Sequence, residues 1–155
     1  MQDPNELVKL SDSGLTVADP AEDVRHRDVI DRDGDKLGSV DDLYIDTKER
    51  RVRFLEVGSG GFLGIGEQKV LIPVDDITRL DPDHVYINQT RQFVGKGPTY
   101  DPRLEPDRTY ANTLYSYYGY SPYWAPGYLP PPFPTYPISQ AERQVNADRE
   151  AEAES

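Results

Sequence analysis

Short apolar runs alternate with polar turns between residues 24 and 87. The runs are rich in Val, Ile, Leu, Tyr and Phe. Runs of this kind, bounded by turn residues, are typical of β-strands joined by hairpins. The pair Asp33-Gly34 favours the positive φ angles of a tight turn. The apolar phase slips between Val40 and Leu43, which is typical of a bulge or of a strand bent around a barrel. Because no helical pattern intervenes, the runs predict a small antiparallel β-barrel or sandwich.

Six strands are predicted in this stretch. They are Val24–Ile30, Lys36–Ile45, Arg51–Gly58, Gln68–Val74, Ile77–Leu80 and Val85–Ile87. In the third strand Val52 and Phe54 share one face, while Leu55 and Val57 share the other. A strand with apolar residues on both faces needs cover on both sides, from barrel closure or from a partner.

The pattern changes after Asn88. Residues 90–94 suit a short helical turn, but residues 110–136 are dominated by Tyr, Pro and Gly without helical or strand periodicity. Prolines at 130–134 favour polyproline II. Residues 139–142 form a capping-box pattern that predicts a short helix. The sequence therefore predicts a long, largely irregular C-terminal region.

Four parts of the chain are expected. They are a flexible lead-in at 1–21, a β-domain at 22–90, a Pro/Tyr-rich segment at 91–137 and an acidic, partly helical tail at 138–155. The lead-in contains two short apolar patches, at residues 7–10 and 15–17. The alternative to a flexible lead-in is that one patch adds an edge strand to the sheet.

Composition narrows the class of protein. The 155 residues carry a net charge of -11, and the mean hydropathy is -0.72. A strongly acidic surface repels nucleic-acid phosphates and anionic lipids, so neither is an expected partner. The absence of cysteine excludes disulfides and thiolate chemistry. The sequence shows no signal-peptide pattern and no apolar run long enough to span a membrane, so a cytoplasmic location is expected.

Candidate metal and cofactor motifs fail on spacing. Asp31, Asp33 and Asp35 imitate the first ligands of a calcium loop, but Lys36 stands where that loop needs glycine. A solvated hairpin turn is the better interpretation. The two histidines, His26 and His84, lack ligand-spaced partners. No metal site is predicted.

The glycine-rich stretch 61–66 has the glycine spacing of a phosphate-binding loop, but Glu67-Gln68 follows it instead of Lys-Ser/Thr. No serine or cysteine occurs in the context of a catalytic nucleophile. We therefore predict no catalytic residue and no cofactor.

Two aromatic or apolar groups are candidate protein interfaces. One is the loop carrying Phe62, Leu63 and Ile65, which would either tuck over the barrel mouth or insert into a partner. The other comprises Tyr115, Tyr117, Tyr118, Tyr120, Tyr123 and Trp124. Tyr and Trp provide large contact areas at low entropic cost. This second group would dock onto a barrel, its own or a neighbour's, or serve as a proline-rich ligand. A disordered linker is the alternative.

Five pieces of the β-region resemble the PRC-barrel domain. They are Val29–Gly34, Leu37–Val40, Asp42–Asp46, Arg53–Val57 and Leu71–Ile77. The family is named for the cytoplasmic domain of the reaction-centre H subunit and includes the C-terminal domain of the ribosome-maturation factor. The resemblance implies a six-stranded β-barrel used in protein interaction, often self-associating, with no shared catalytic residues. The tyrosine-rich region lies outside it.

These observations together predict a non-enzymatic, cytoplasmic, bacterial or archaeal protein-interaction module. It would self-associate as a homodimer or dock onto an unknown protein, through an exposed strand edge and the Phe62-Leu63-Ile65 loop. One alternative is a stress- or envelope-associated structural protein assembled by its tyrosine-rich region. Another is a small-ligand protein that uses the barrel mouth.

Overall fold

The computed structural model describes residues 7–13, 15–17, 23–49, 51–58, 69–103, 106–129 and 137–139. The strands are β1 (Leu7–Lys9), β2 (Leu15–Val17), β3 (Asp28–Ile30), β4 (Lys36–Asp46), β5 (Val52–Gly58), β6 (Lys69–Pro73), β7 (Ile77–Asp81), β8 (His84–Ile87) and β9 (Pro137–Ser139). The helices are α1 (Leu10–Ser13), α2 (Arg91–Gly95) and α3 (Arg108–Tyr118), and a 3₁₀ turn spans Val74–Asp76.

Seven strands form one sheet, in the order β6-β5-β4-β3-β8-β7, with β1 also paired to β4. β2 and β9 form a separate antiparallel pair. Within the described residues no pairing joins β6 to β7, so the sheet is not closed. The predicted closure of six strands into a barrel is therefore not confirmed. The 3₁₀ turn leads directly from β6 to β7 and carries the chain from one end of the sheet to the other.

The prediction of an antiparallel arrangement is wrong at one pair of strands. β3 and β8 run parallel, with Val29 opposite Val85. The reason is topological, because the chain passes through β4, β5, β6 and β7 before it returns beside β3. The remaining pairs in the sheet are antiparallel.

Strand boundaries follow the sequence pattern closely, with one shortened strand. The register of β4 against β5 shifts between Val40 and Asp42, where the apolar phase of the sequence slips, and again between Tyr44 and Ile45. The first strand of the β-region begins at Asp28 rather than Val24. Its start is delayed because His26 has a positive φ of 77° at a bend, where its N–H donates to the Val40 carbonyl.

One apolar patch near the N-terminus adds a strand, which was the alternative to a flexible lead-in. β1 pairs with the second half of β4, with Leu7 opposite Asp46. Leu7 and Leu10 are both buried. β3 pairs with the first half of β4, so the 11-residue β4 accommodates both short strands.

The hydrophobic core is centred on β4 and β5. The apolar residues of β5 are buried on both faces, as the sequence predicted. Part of their cover comes from α3, whose Ala111, Leu114, Tyr115 and Tyr118 belong to the same core. These positions have the spacing of one helical face. The predicted irregular structure of residues 110–136 is therefore wrong for 110–118.

The ends of α3 have ordinary capping chemistry. The Asp107 side chain accepts the Tyr110 N–H at 2.8 Å, and Gly119 ends the helix in the left-handed region with φ of 84°. The shorter α2 confirms the predicted helical turn, because the Thr90 side chain accepts the Phe93 N–H at its start. We call residues 106–129 the C-terminal segment. Among the described residues, no helix combines the length and apolarity needed to cross a membrane.

Candidate functional site

The predicted interface residues fall into two groups in the structure. Phe62, Leu63 and Ile65 lie outside the described residues. The aromatic residues of the second group lie in α3 and the turns that follow it: Tyr115, Tyr117, Tyr118, Tyr120, Tyr123 and Trp124. Tyr115 and Tyr118 are buried, and the other four pack partly buried against the core. That these residues form an interface with a partner remains a prediction.

Ring contacts fix the C-terminal segment on the sheet. The Tyr115 ring lies 5.1 Å from the Phe54 ring of β5 and 6.1 Å from Trp124. On the other side of α3, the Tyr117 ring stacks on Phe93 of α2 at 4.4 Å. The Tyr117 hydroxyl also donates to the Phe93 carbonyl at 2.6 Å. The segment is thus held by β5 and α2 together.

A buried arginine contacts the same segment. Arg53 of β5 is 1% exposed and pairs through Nε with Asp46 Oδ2 at 2.6 Å. Its second contact, to Glu49, is also 2.6 Å. Burial alone would lower the pKa of Arg53, but the Asp46 carboxylate raises it above the usual value. Its guanidinium lies 4.2 Å from the Tyr123 ring centre and 5.7 Å from that of Tyr128. Arg53 therefore joins an ion pair inside the sheet to two aromatic rings outside it.

Two neighbouring carboxyl groups receive tyrosine hydroxyls from the segment. Asp75 and Asp76, which we call the carboxyl pair, lie on the 3₁₀ turn between β6 and β7. The Tyr120 hydroxyl donates to Asp76 Oδ1 at 2.7 Å, and the Tyr128 hydroxyl donates to Asp75 Oδ2 at 2.7 Å. Burial raises the pKa of Asp75, and it raises that of the fully buried Asp76 to about 6. Asp76 can therefore exchange a proton near pH 6.

A second buried polar network lies around Glu56 of β5. The Tyr100 hydroxyl donates to Glu56 Oε2 at 2.5 Å and is 2.7 Å from the Tyr44 hydroxyl. Lys9 and Lys69 pair with the same carboxylate at 3.3 and 3.5 Å. Burial, followed by the bond to Glu56, raises the pKa of Tyr100. The network neutralises a carboxylate that would otherwise be costly to bury.

A cavity of about 520 Å³ adjoins this network, between β6 and α2. Its lining includes Lys69, Val70, Val94, Pro98, Tyr100 and Pro102. The Lys69 ammonium also lies 3.0 Å from Asp41, so its charge is balanced by two carboxylates. The cavity is therefore suited to a neutral, partly apolar molecule rather than to an anion.

The acidic turn after β3 has a structural role. Asp31, Asp33 and Asp35 have carboxylate oxygens within 4.8 Å of one another. Asp31 Oδ1 accepts the N–H groups of Asp33 and Asp35, and its Oδ2 accepts the N–H of Arg91 at 3.0 Å. The side chain thus ties the hairpin turn to the start of α2. The predicted turn is present, but Asp31 is buried rather than solvated.

The hairpin of β7 and β8 has its own polar cluster. The Asp81 carboxylate accepts the Tyr86 hydroxyl at 2.9 Å and lies 2.9 Å from His84 Nδ1. The Arg79 guanidinium lies 4.0 Å from the Tyr86 ring centre. Arg79, Asp81, His84 and Tyr86 therefore share the outward face of the hairpin.

Sequence reasoning missed Arg53, Glu56 and the carboxyl pair. A signal was present for the first two, because each is a charged residue inside an otherwise apolar strand that needs cover on both faces. Such residues are rarely buried without a partner. The carboxyl pair gave no such signal, since Asp75-Asp76 resembles any acidic turn until the tyrosines are placed over it.

A comparison with known protein families matches only part of the residues that form this site. A family model described as the PRC-barrel domain matches residues 18–94, about half of the chain. No curated protein matches the chain. The matched range contains Arg53 and the carboxyl pair, whereas Tyr120, Tyr123 and Tyr128 lie beyond it. The contacts described above therefore join the matched range to a segment outside the family match.

Proposed function

Because this chain carries a PRC-barrel domain at residues 18–94, which is a general protein-interaction fold, we propose that it is a non-enzymatic protein-interaction module. It self-associates or docks onto another protein. The observation that supports this most directly is that the domain already holds a polypeptide segment from outside the family match. An interaction fold that binds one such segment has the chemistry to recognise protein.

The recognition contacts favour tyrosine in particular. Each carboxyl group of the pair accepts a tyrosine hydroxyl, and the Arg53 guanidinium lies over an aromatic ring. A phenylalanine would provide a ring for the guanidinium but no hydroxyl for the carboxyl groups. A serine would provide the hydroxyl but no ring. Tyr128 supplies a ring and a hydroxyl together, while Tyr120 supplies a hydroxyl and Tyr123 supplies a ring.

The surface proposed for a partner is the β7 end of the sheet. β7 is the last strand of the sheet and pairs with β8 on one side, while Thr78 and Arg79 are exposed. The edge of such a strand can add a strand from another chain. The loop carrying Phe62, Leu63 and Ile65 is proposed to bury apolar side chains in the same contact.

Self-association through this edge has a favourable register. If two β7 strands pair antiparallel about Leu80, Arg79 of each copy lies opposite Asp81 of the other. Directly opposed charges of unlike sign stabilise a strand pair, whereas a register centred on Arg79 would oppose two like charges. A second copy of the chain is therefore the partner we propose first.

Sedimentation velocity of the full chain tests this proposal. We expect a dimer that weakens on Arg79→Asp and on Asp81→Arg, and that recovers in the double variant because the opposed charges are restored. Phe62→Ser with Leu63→Ser should weaken it as well. Arg103→Asp, which changes an exposed arginine elsewhere on the surface, is the matched control.

Sedimentation left unchanged by all of these variants would contradict the proposed surface. A monomeric wild-type chain would contradict self-association and leave docking to a different protein. That protein would then be sought by pull-down with the same variants as controls.

Small-ligand binding is a second candidate function, and the cavity between β6 and α2 favours it. A thermal-shift screen with neutral metabolites tests it, because a ligand specific for the folded state raises the melting temperature with its concentration. The rise should saturate and should be lost in Val70→Trp, which fills the cavity. A screen without a saturable shift would contradict this function.

A further inference from the structure

The C-terminal segment covers the carboxyl pair, and one buried oxygen of each carboxyl group has no hydrogen-bond donor among the described residues. Asp76 Oδ1 accepts from Tyr120, and Asp75 Oδ2 accepts from Tyr128. The other oxygen of each group, Asp76 Oδ2 and Asp75 Oδ1, is buried without a hydrogen-bond partner in the described part of the chain. A buried carboxylate oxygen without a donor is costly, and a bound proton removes the charge responsible.

The groups that face the carboxyl pair do not fully compensate its negative charge. Arg53 of β5 faces Asp75, but its guanidinium pairs with Asp46 and Glu49. Asp76 is approached by the Tyr120 hydroxyl, the Gln89 side-chain amide at 3.4 Å, the backbone N–H of Asn88 and the Asp75 carboxyl. From α3 the pair is faced by the phenol groups of Tyr115 and Tyr118. Hydroxyl and amide donors stabilise the charge only in part.

We propose that the carboxyl pair is a proton-controlled docking site for residues 119–129. Residues 119–129 are held on the sheet while the pair carries a proton, and they are released progressively as that proton is lost, whereas α3 stays packed in the core. Release exposes the face formed by Arg53 and the carboxyl pair. This inference goes beyond the proposed function and does not depend on whether the chain self-associates.

The pH dependence of docking follows from the difference between the pKa of Asp76 in the docked state and its pKa in the released state. With residues 119–129 in place, burial raises the pKa of Asp76 from 3.8 to about 6, although the Tyr120 hydrogen bond lowers it; a carboxyl group that becomes solvated returns to its ordinary value. The docked state therefore binds the proton more tightly and is favoured at low pH. Its advantage is lost as pH rises through about 4 to 6. The docking equilibrium should change by up to roughly a hundredfold across that window, since each unit of pKa difference is a factor of ten.

Trp124 offers a direct reporter, because it is the single tryptophan of the chain. It packs against Tyr123 at 4.9 Å and Tyr115 at 6.1 Å, with the Arg108 guanidinium at 4.6 Å. Acrylamide quenching of its fluorescence measures how exposed the segment is. For the full chain, we expect quenching to increase as pH rises through about 6.

Two variants show whether Asp76 or another titrating group causes the change of quenching with pH. Asp76→Asn keeps the shape and the acceptor for Tyr120 but cannot lose a proton, so quenching should stay low and constant with pH. Asp83→Asn is the matched control, since Asp83 is exposed on the turn between β7 and β8 and its variant should keep the transition. Circular dichroism confirms that each variant is folded.

A second variant keeps the test decisive if Asp76→Asn fails to fold. Tyr120→Phe removes a donor to the ionised carboxylate, so it should be more quenchable than wild type at pH about 7.5 and similar to it at pH about 4.5. Quenching of wild type that is constant with pH would overturn the proposal. A transition that persists in Asp76→Asn, or a Tyr120→Phe chain identical to wild type at both pH values, would overturn it as well.

Discussion

The guanidinium of Arg53 lies 4.2 Å from the ring centre of Tyr123, and this contact joins the PRC-barrel domain to a segment outside it. The same guanidinium pairs with Asp46 inside the sheet. One side chain therefore belongs to the ion pair of the sheet and to the aromatic packing above it. The C-terminal segment is part of the folded unit rather than an appendage.

Replacing Arg53 should be strongly destabilising. Arg53→Met keeps much of the side-chain volume but leaves the Asp46 carboxylate, 1% exposed, without its cation. Breaking a buried ion pair in this way costs about 3–5 kcal/mol of unfolding free energy. Urea denaturation measures it, with Arg103→Met as the exposed control, expected within about 0.5 kcal/mol of wild type. A loss as small as the control's would mean that Asp46 is solvated.

Leu114 tests whether α3 belongs to the core. Leu114→Ala should lower the free energy of unfolding by about 2–5 kcal/mol, because it opens a cavity among buried residues. Thr113→Ala, one position away on the exposed face, should change it by less than about 0.5 kcal/mol. Equal effects of the two variants in urea denaturation would argue against a packed helix.

Removing the Tyr115 hydroxyl should not lower the free energy of unfolding, in contrast to the substitutions above. Its ring is fully buried against Phe54, but its hydroxyl has no hydrogen-bond partner among the described residues. Tyr115→Phe keeps the ring and removes the unsatisfied hydroxyl, so stability should be unchanged or higher by up to about 1 kcal/mol. Tyr115→Ala should instead cost about 3–5 kcal/mol. Thermal or urea unfolding of the two variants distinguishes them, and a destabilised Tyr115→Phe chain would show that the hydroxyl has a partner.

Asp31 should matter more than its acidic neighbours. Asp31→Ala removes the acceptor of three backbone N–H groups and separates the β3–β4 turn from α2. We expect a loss of about 1–3 kcal/mol in urea denaturation. Asp33→Ala, an exposed neighbour, is the control and should be nearly neutral. Equal losses would point to a shared role of the cluster instead.

The pH dependence of global stability should change when Asp76 is neutralised. The folded-state pKa of Asp76 is raised to about 6, so its contribution to stability is present at low pH and lost as pH rises. The unfolding free energy of Asp76→Asn relative to wild type should therefore increase between pH about 4.5 and 7.5, by about 2 kcal/mol. Subtracting wild type removes the contribution of the other carboxyl groups. A difference that is constant with pH would contradict the raised pKa.

Much of the β-region was predictable because its signals are local. Val52, Phe54, Leu55 and Val57 are apolar on both faces of one strand, and all four are buried. Gly34 has the positive φ that its Asp-Gly pair indicated. The parallel pairing of β3 and β8 was not predictable in this way, because it depends on contacts between residues far apart in sequence.

The helix of the C-terminal segment was not predicted, and the residues on its buried face explain why. The buried face of α3 consists of Ala111, Leu114, Tyr115 and Tyr118, in which two of four residues carry a hydroxyl. Tyrosine is ambiguous between core and surface, so the helical spacing was obscured. The capping residues at either end were present in the sequence and would have located the helix.

The packing of α3 against the sheet is the central structural claim about the C-terminal segment, and native-state hydrogen exchange tests it most directly. The amides of Leu114 and Tyr115 should exchange with free energies close to that of Leu55 in β5, because all three lie in one core. Exchange at Leu114 and Tyr115 as fast as in an unprotected peptide, with Leu55 still protected, would contradict it.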